Sequence, residues 1–496
     1  KGKTMAAIIT EKFRLNNAKS FVEEVGENNP YTFIGRGHAW ADDSSPPTPV
    51  DSPNDEFDAY RNMVALKQIG ASDATHAIVR RDWTTSTQYD EYRHNYSSGN
   101  TAATGATTLW DSLFYVVTED YNVYKCIANG TADQTAAERA HNVSTVKPDH
   151  TTLATPTEAD DYQWKYMYSI SASDVIKFVT NDFIPVKTLG AKQAVDGSLS
   201  DGGLNATGGN DGSAQWDVEY GAVDGALERV RVRAVGSSLT NGTYTTKTVY
   251  GDGTGGRATV TVAGNEVTNA VITTAGTGYT YAYLLASDVS GPVNQPADGT
   301  STSPNIEFLI GPKHGHGADA VEELGGNYVI LNSRLEYAEG AGDFPTDNDF
   351  RQIGVIFNPT NYGADTLFTD PTGKAYKTME LVSTAFAAPT VDTLIRNAHP
   401  EVAGTAVGVV ISVDSTTRII SYLPYPNEAG NITDFGNNQG IRSGVGDTTV
   451  GTTKTSAAIV NEDIKRYSGD IIYLENRGAV SRASDQIEDI KLIVEM

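Results

Sequence analysis

The sequence contains almost no cysteine: among its 496 residues there is one, Cys126. A single thiol excludes an intramolecular disulfide, so packing and polar contacts must hold the fold together. Cys126 lies in residues 123–127, where polar and apolar residues alternate as they do in a β-strand. We therefore expect Cys126 to act as a small buried hydrophobe rather than as a reactive thiol.

Positive charge and long apolar runs are scarce as well. The chain carries 37 Lys and Arg against 62 Asp and Glu, a net charge of −25. An acidic surface of this kind repels nucleic-acid phosphates and anionic membranes, so we expect neither as a partner. It favours solubility instead. No window approaches the ~18 consecutive apolar residues that a transmembrane helix needs.

Glycine is abundant, with 48 residues, and Thr-, Ser-, Asn- and Asp-rich stretches separate the apolar runs. This texture is typical of short strands joined by turns and exposed loops. The chain is also longer than the roughly 250–300 residues that one hydrophobic core supports. We therefore predict a mainly β protein with a few short helices, in which a multi-domain β-sandwich-like core carries two β-rich insertions.

Shifts in composition place the boundaries of these parts. Near Leu189 the chain becomes rich in Gly, Thr and Asp, and a similar stretch begins near residue 385, with a hairpin predicted over 404–423. The predicted parts are the N-terminal part of the core (1–189), the first insertion (190–317), the middle part of the core (318–384), the second insertion (385–460) and the C-terminal core strands (461–496).

Periodicity predicts the elements of the N-terminal part. Residues 6–13 are typical of a strand and residues 17–25 of a short helix. Tyr162, Trp164, Tyr166 and Tyr168 alternate with other residues, which predicts a half-buried strand with one aromatic face.

The clearest helix start is at Ser52. Ser52 can accept a hydrogen bond as the N-cap, Pro53 suits the first helical position, and Asp55 follows three residues after the cap. Apolar residues continue at helical spacing, so the helix is predicted to run to Ile69 and to end at Gly70.

Two strand patterns stand out in the first insertion. Residues 228–235 place apolar side chains on one face and three arginines on the other. Residues 257–263 and 267–274 flank Gly264 and Asn265, a combination that predicts a β-hairpin with a tight turn.

The motifs of common active sites are missing or out of context. Residues 251–256 match G-x-G-x-x-G, but a strand pattern follows instead of the helix that a dinucleotide site needs. His314 and His316 are weak candidates for a metal site, with Asp319, Glu322 and Glu323 nearby in sequence; the surrounding glycines favour a structural loop. We therefore predict no catalytic residues, no cofactor and no bound metal, and we do not expect an enzyme.

Short motifs occur in a distinctive order along the chain: Ile9-Thr-Glu-Lys-Phe-Arg14, Phe33-Ile-Gly-Arg36 with Trp40, Arg80-Arg-Asp-Trp83 with Tyr89-Asp-Glu-Tyr92, Tyr124-Lys-Cys126, Phe350-Arg-Gln-Ile353 with Asn358-Pro359, Tyr467-Ser-Gly-Asp-Ile-Ile-Tyr-Leu-Glu-Asn-Arg477, and Ser484-Asp-Gln-Ile-Glu-Asp-Ile490. Together they resemble the baseplate wedge subunit known as gene product 8 in T-even phages. Glu91 stands where the pattern of that family has proline. The resemblance covers residues 6–190, 318–360 and 465–496.

The resemblance implies a structural role in the virion. A protein of this family is expected to be a homodimer in the tail baseplate of a contractile phage, assembled in the host cytoplasm. Its expected partners are other wedge proteins, the counterparts of T-even gene products 6, 7 and 10, and it is expected to help transmit the contraction trigger. The alternative is a receptor- or carbohydrate-binding tail protein, which the 25 tyrosines would also suit.

Two polar groups inside the resembling segments are predicted to hold the fold or to contact partners. The first is expected to be an ion-paired, stacked corner, because Arg pairs well with carboxylates and Trp offers a face to a guanidinium. The second is expected to be a hydrogen-bonded turn after a strand. These structural or interface candidates are Arg80, Arg81, Asp82 and Trp83, and Glu475, Asn476 and Arg477.

Overall fold

A computed structural model gives the fold and describes residues 8–28, 30–130, 143–190, 210–290, 302–336, 342–382, 386–444 and 448–496. The chain divides into two compact units. Unit 1 consists of Lys1–Ser20, Thr75–Ile330 and Ile493–Met496, and unit 2 of Phe21–Ala74 and Leu331–Leu492. This partition differs in kind from the predicted core with two insertions, which stays a prediction.

Helices are few among the described residues. The α-helices are Glu11–Glu27, Pro53–Asn62, Ala172–Phe178, Ala214–Gly221 and Ala320–Leu324, and short 3-10 turns cover Ala71–Asp73 and Ala286–Val289. Within the described ranges, none of these helices has the length and apolar character needed to span a membrane.

Strands make up most of the regular structure. The first thirteen are β1 (Pro30–Gly35), β2 (Met63–Gln68), β3 (Ala74–Val79), β4 (Tyr115–Val117), β5 (Asn122–Asn129), β6 (Tyr162–Ser169), β7 (Phe183–Val186), β8 (Arg229–Ala234), β9 (Gly242–Thr248), β10 (Tyr250–Gly251), β11 (Arg257–Ala263), β12 (Glu266–Thr274) and β13 (Ala282–Tyr283). The remaining strands are β14 (Asn305–Leu309), β15 (Tyr328–Glu336), β16 (Asn348–Phe357), β17 (Thr372–Lys374), β18 (Lys377–Glu380), β19 (Leu394–Arg396), β20 (Val407–Asp414), β21 (Ile419–Tyr425), β22 (Gly440–Ser443), β23 (Thr448–Thr452), β24 (Ile459–Val460), β25 (Asp470–Arg482) and β26 (Ile487–Glu495).

Unit 1 contains several small antiparallel sheets. Its strands pair in the orders β4-β5-β6 and β12-β11-β9, with the two-stranded ladders β14-β8 and β10-β13, and β3 pairs with β7. The sheet β4-β5-β6 is covered on both faces, since its buried residues belong to two separate hydrophobic clusters.

Unit 2 is built on two larger sheets. One has the strand order β17-β2-β1-β16-β25 and the other β23-β22-β19-β20-β21-β18-β24. Each has its own apolar cluster, one around Tyr31 and Phe33 and the other around Ile395 and Tyr422. The mainly β, multi-domain fold predicted from composition is thus confirmed.

The first predicted strand is wrong. Residues 6 and 7 lie outside the described residues, and Glu11–Glu27 is a helix. Thr10 caps it, because its side-chain oxygen accepts from the backbone N–H of Phe13 at 3.3 Å. Leu15, Ala18 and Val25 are buried at helical spacing, so the 3.6-residue period prevails over the short apolar run that precedes it.

The helix predicted from Ser52 begins as expected and ends early. Ser52 is the N-cap, and its hydroxyl accepts from the backbone N–H of Asp55. The helix stops at Asn62, and Met63–Gln68 forms strand β2 between β1 and β17. The predicted extension to Ile69 is therefore wrong. The apolar run 63–66 is buried at every position, and such a run fits a buried strand as well as a helix.

The aromatic strand is confirmed as β6, but its burial differs from the prediction. Tyr162, Trp164 and Tyr166 join one cluster, whereas Tyr168 joins the cluster on the other face. The register shifts there, because Val123 pairs with Tyr168 and Tyr124 with Tyr166. An extra residue in one strand of a pair reverses the faces beyond it.

In the first predicted insertion the hairpin is confirmed. β11 pairs with β12 around Gly264 and Asn265, whose φ angles are 65° and 69°. Both angles lie in the left-handed region, as a type I′ turn requires. The helix Ala214–Gly221 was missed by the prediction, although Ser213 caps it. Residues 191–209 and 291–301 of this predicted insertion lie outside the described residues.

Removing the cap at Ser52 tests how far the helix Pro53–Asn62 depends on it. We expect Ser52→Ala to lower the local stability of this helix by about 1 kcal/mol, because the backbone N–H of Asp55 loses its acceptor. Hydrogen exchange of the helix amides in the full chain measures that change. Ser52→Asn keeps a capping oxygen and should exchange like the natural chain. Unchanged exchange in Ser52→Ala would mean that tertiary packing alone holds the helix.

Candidate functional site

The first predicted group lies at the end of β3 and holds two loops in unit 1. Arg80 donates from Nε to the Asp82 carboxylate at 2.9 and 3.2 Å, and from Nη1 to the carbonyl of Thr180 at 3.1 Å. Asp82 and Trp83 continue this segment beside Val117, whose carbonyl accepts from the Trp83 backbone N–H at 2.8 Å. The ion pair expected of this corner is present.

The stacking partner in this corner differs from the expected one. The guanidinium of Arg81 lies 4.5 Å from the centre of the Tyr115 ring and donates to the carbonyls of Trp110 and Ser112. Trp83 instead donates from Nε1 to the Ser144 hydroxyl at 3.1 Å. The polar atoms of the corner are thus largely engaged within unit 1, and their role toward partners stays a prediction.

The second predicted group does not form a turn after a strand. Glu475, Asn476 and Arg477 lie in the middle of β25, opposite β16, where the register shifts between Phe350 and Gln352. The carbonyl of Arg477 and the amide side chain of Asn476 bind a loop. A strand that is interrupted by a bulge can bind loops in this way because unpaired backbone groups become available.

That loop is residues 36–50 of unit 2. Trp40 donates from Nε1 to the Arg477 carbonyl at 2.8 Å, and Asn476 donates from Nδ2 to the Pro47 carbonyl at 2.9 Å. The guanidinium of Arg36 lies 3.5 Å from the centre of the Trp40 ring. Arg36 and Trp40 thus form an Arg–Trp stack that was not predicted, whereas the predicted stack on Trp83 is wrong, since Arg81 lies over Tyr115.

Arg351 fixes the same loop from the neighbouring strand β16. Its guanidinium donates to both oxygens of Asp43 at 2.9 to 3.0 Å, to Asp349 at 3.1 Å and to the carbonyl of Gly37. A bidentate guanidinium–carboxylate pair fixes both distance and orientation. In the sequence, Arg351 stands out only as part of a family motif, and its partner lies 308 residues away.

The two histidines considered for a metal site are placed differently. His316 is buried against the Tyr92 ring, with ring centres 4.9 Å apart, and burial followed by the nearby Lys125 and Lys165 holds its pKa well below the usual value. His314 adopts a positive φ of 70°, and its backbone N–H donates to Asp224 at 2.7 Å. Throughout the described ranges, no group of at least three potential ligand residues converges on a metal position.

The carboxylates near these histidines have partners of their own. Asp319 caps the helix Ala320–Leu324 and accepts from the Thr188 hydroxyl at 2.6 Å. Glu322 lies 3.6 Å from Lys12 at the surface. Glu323 is buried and forms an ion pair with Lys125 in the centre of β5.

The Lys125–Glu323 pair is a buried polar centre of unit 1 that was not predicted from the sequence. Both side chains are essentially excluded from solvent. The Glu323 carboxylate also accepts the backbone N–H groups of Gly317, at 2.9 and 3.0 Å, and of Asp319, at 3.1 Å. Burial lowers the pKa of Lys125, and the carboxylate opposes that shift. A lysine in the middle of a buried strand was the available signal, since such a charge requires a partner.

The fold and these contacts define a mainly β, multi-domain protein whose candidate polar residues bind one another within the chain. Residues 7–147 match the family model described as Bacteriophage T4, Gp8. This match confirms the predicted resemblance over residues 7–147, and it supports a structural role in the baseplate wedge of a phage tail. The resemblance over residues 318–360 and 465–496 stays a prediction. No curated protein matches the chain.

Breaking the Lys125–Glu323 pair tests how much it contributes to the stability of unit 1. We expect Glu323→Gln to destabilise unit 1 by about 3–5 kcal/mol, because it leaves Lys125 buried without a counter-charge. Urea unfolding followed by Trp fluorescence reports mainly on this unit, since four of the five tryptophans, Trp83, Trp110, Trp164 and Trp216, lie in it. Glu322→Gln, in the same helix, loses only a surface pair and should change stability by ~0–1 kcal/mol. Equal effects of the two variants would contradict the assignment.

The buried imidazole of His316 should make unit 1 sensitive to acid. Its folded-state pKa lies below the unfolded value near 6.5, so the unfolded chain binds the extra proton and stability falls as the pH drops below about 6.5. We expect His316→Gln to reduce the pH slope of the unfolding free energy between pH 6 and 5 by about 1.4 kcal/mol per pH unit. His314→Gln, two residues away and half-buried, is the control. An unchanged slope in His316→Gln would refute the prediction.

Proposed function

We propose that this chain is a non-catalytic scaffold of the baseplate wedge, which links neighbouring wedge proteins and helps to transmit the contraction trigger. The match of residues 7–147 to the T4 Gp8 family model carries the proposal. That family implies association with other baseplate proteins. A homodimer, contacts with the counterparts of T-even gene products 6, 7 and 10, and assembly in the host cytoplasm are the finer parts of the proposal.

Ion pairs inside each of the two units support a scaffolding role. A subunit that passes a mechanical change to its neighbours must move as a stiff body, and packed interiors transmit strain because they are not continuously deformable. The Lys125–Glu323 pair in unit 1 and the Arg351–Asp43 pair in unit 2 each bind segments that are far apart in the chain. Such pairs fix orientation as well as distance.

Exposed aromatic residues offer contact points for neighbours. Phe57 is 56 % exposed and Tyr467 45 % exposed, and their rings meet edge to face with centres 5.6 Å apart. Aromatic side chains are enriched at protein interfaces, where they supply much of the binding energy. We propose this pair in unit 2 as one contact with another wedge protein.

The alternative role, a receptor- or carbohydrate-binding tail protein, has one observation in its favour. Tyr281 is 56 % exposed, and close by in sequence the rings of Tyr250 and Tyr283 stack with centres 5.8 Å apart. These tyrosines lie in the stretch 190–317, outside the family match. Exposed tyrosines of this kind would suit a sugar ligand.

Immunogold labelling of intact phage distinguishes the two roles. With antibody raised against the full chain, we expect label on the baseplate ring, retained after contraction, because a wedge scaffold stays in the assembly when the sheath shortens. Antibody adsorbed with the purified chain is the control for specificity. Label confined to fibre or spike tips would overturn the wedge proposal in favour of the adhesin, and host glycans would then be screened for binding.

A further inference from the structure

Residues 227–309 of unit 1 contain a hydrophobic core of their own. The cluster of buried residues around Leu227, Val260 and Phe308 is drawn entirely from this stretch. The other apolar clusters described for unit 1 use residues outside it. We call residues 227–290 and 302–309 the β module and the other described residues of unit 1 the body. Of the described residues of the body, Ile310, which directly follows the module, packs against this core.

The strand pair β8–β14 is the side of the β module that meets the body. Val230 and Val232 of β8 point into the module core, and their ladder partners Phe308 and Ile306 do the same. The alternation of a strand then directs Arg229, Arg231 and Arg233 to the opposite face. The arginine face predicted from the sequence is thus present, and it is turned toward the body rather than toward solvent.

One carboxylate of the body, that of Glu91, pairs with two of these three arginines. Glu91 is 1 % exposed, and its oxygens lie 2.6 Å from Arg231 Nη1 and 3.5 Å from Arg229 Nε. Arg93, two residues further along the body, lies 3.7 Å from the same carboxylate. Burial by itself raises the pKa of Glu91, and the surrounding arginines outweigh it and hold the pKa below the usual value.

A carboxylate of the module, that of Glu307, pairs with an arginine of the body. Glu307 of β14 lies 2.8 Å from Arg93 Nη2 and accepts from Asn95 Nδ2 at 2.5 Å. Arg233 also donates to Asn100 of the body at 2.6 Å. We call these polar contacts between the β module and the body the seam. Ion pairs therefore cross the seam in both directions, from Glu91 to the module and from Glu307 to the body.

An interface held by buried ion pairs responds differently to substitution from one held by apolar contacts. Four guanidinium groups, those of Arg93, Arg229, Arg231 and Arg233, face the carboxylates Glu91 and Glu307. Removing one partner of a buried pair leaves an uncompensated charge, which is far costlier than losing a surface pair. The buried core of the β module contains none of these charged groups.

We propose that the β module is a separable domain held on the body by this ionic seam, with Glu91 as its central charge. Neutralising Glu91 releases the module in its folded form, because the guanidinium groups then have a lower free energy in water than in the seam. Backbone hydrogen bonds from Gly278 and Tyr279 to residues 224 and 225 hold the module where the chain enters it, and charge pairing sets its orientation on the body.

Distance measurement in the full chain tests the proposal. Spin labels are placed at Ile176→Cys in the body and Asn269→Cys in the module, both exposed positions, while the buried Cys126 stays unlabelled. We expect a narrow distance distribution in the parent and a broad one after Glu91→Gln. Glu266→Gln, an exposed carboxylate at the start of β12, is the matched control and should leave the distribution narrow.

Hydrogen exchange of the hairpin β11–β12 in the same variants completes the test. Unchanged protection of this hairpin in Glu91→Gln, together with a broad distribution, supports a separable module. A distribution that stays narrow, or a hairpin that loses protection together with the seam, overturns the proposal. If Glu91→Gln does not fold, the pair Glu91→Arg and Arg231→Glu supplies the measurement: the double variant should narrow the distribution that Arg231→Glu alone broadens, and no narrowing also overturns the proposal.

Discussion

A charge that is taken out of water must be matched inside the fold, and this constraint organises much of the chain. Lys125 needs Glu323, Arg351 needs Asp43, and the arginines of β8 need Glu91. In unit 2, Arg482 is fully buried and lies 3.0 Å from Glu488. Each pair joins two segments of the chain through matched charges. Since unpaired buried charges cost several kcal/mol, these contacts exclude alternative placements.

Such pairs explain why the chain can combine acidic composition with dense internal structure. The excess of carboxylates leaves a partner for nearly every buried cation, and Asp and Glu that are not needed inside remain on the surface. The paired groups span sequence separations of 198 residues for Lys125 with Glu323 and 308 for Arg351 with Asp43. The units therefore depend on contacts that form only when most of the chain is present, which is the pattern of a slowly folding β protein.

Local patterns predicted those parts of the fold that local physics decides. The hairpin at Gly264 and Asn265, the cap at Ser52 and the burial of Cys126 each follow from a few neighbouring residues. The end of the helix at Asn62 could not be predicted, because the same apolar run suits a helix or a buried strand until β1 supplies a ladder partner. Partner choice over long range was likewise out of reach: the sequence showed Lys125 in a strand and Glu323 near two histidines, with nothing to connect them.

Glu91 makes the residue at one position depend on the sequence of a distant strand. It lies within residues 7–147, which match the T4 Gp8 family model, whereas Arg229 and Arg231, which it meets, lie outside that match. A chain that kept these arginines and had an uncharged residue at 91 would bury guanidinium groups with one counter-charge fewer. A change of charge at residue 91 therefore requires a compensating change in strand β8, although more than a hundred residues separate the two in the chain.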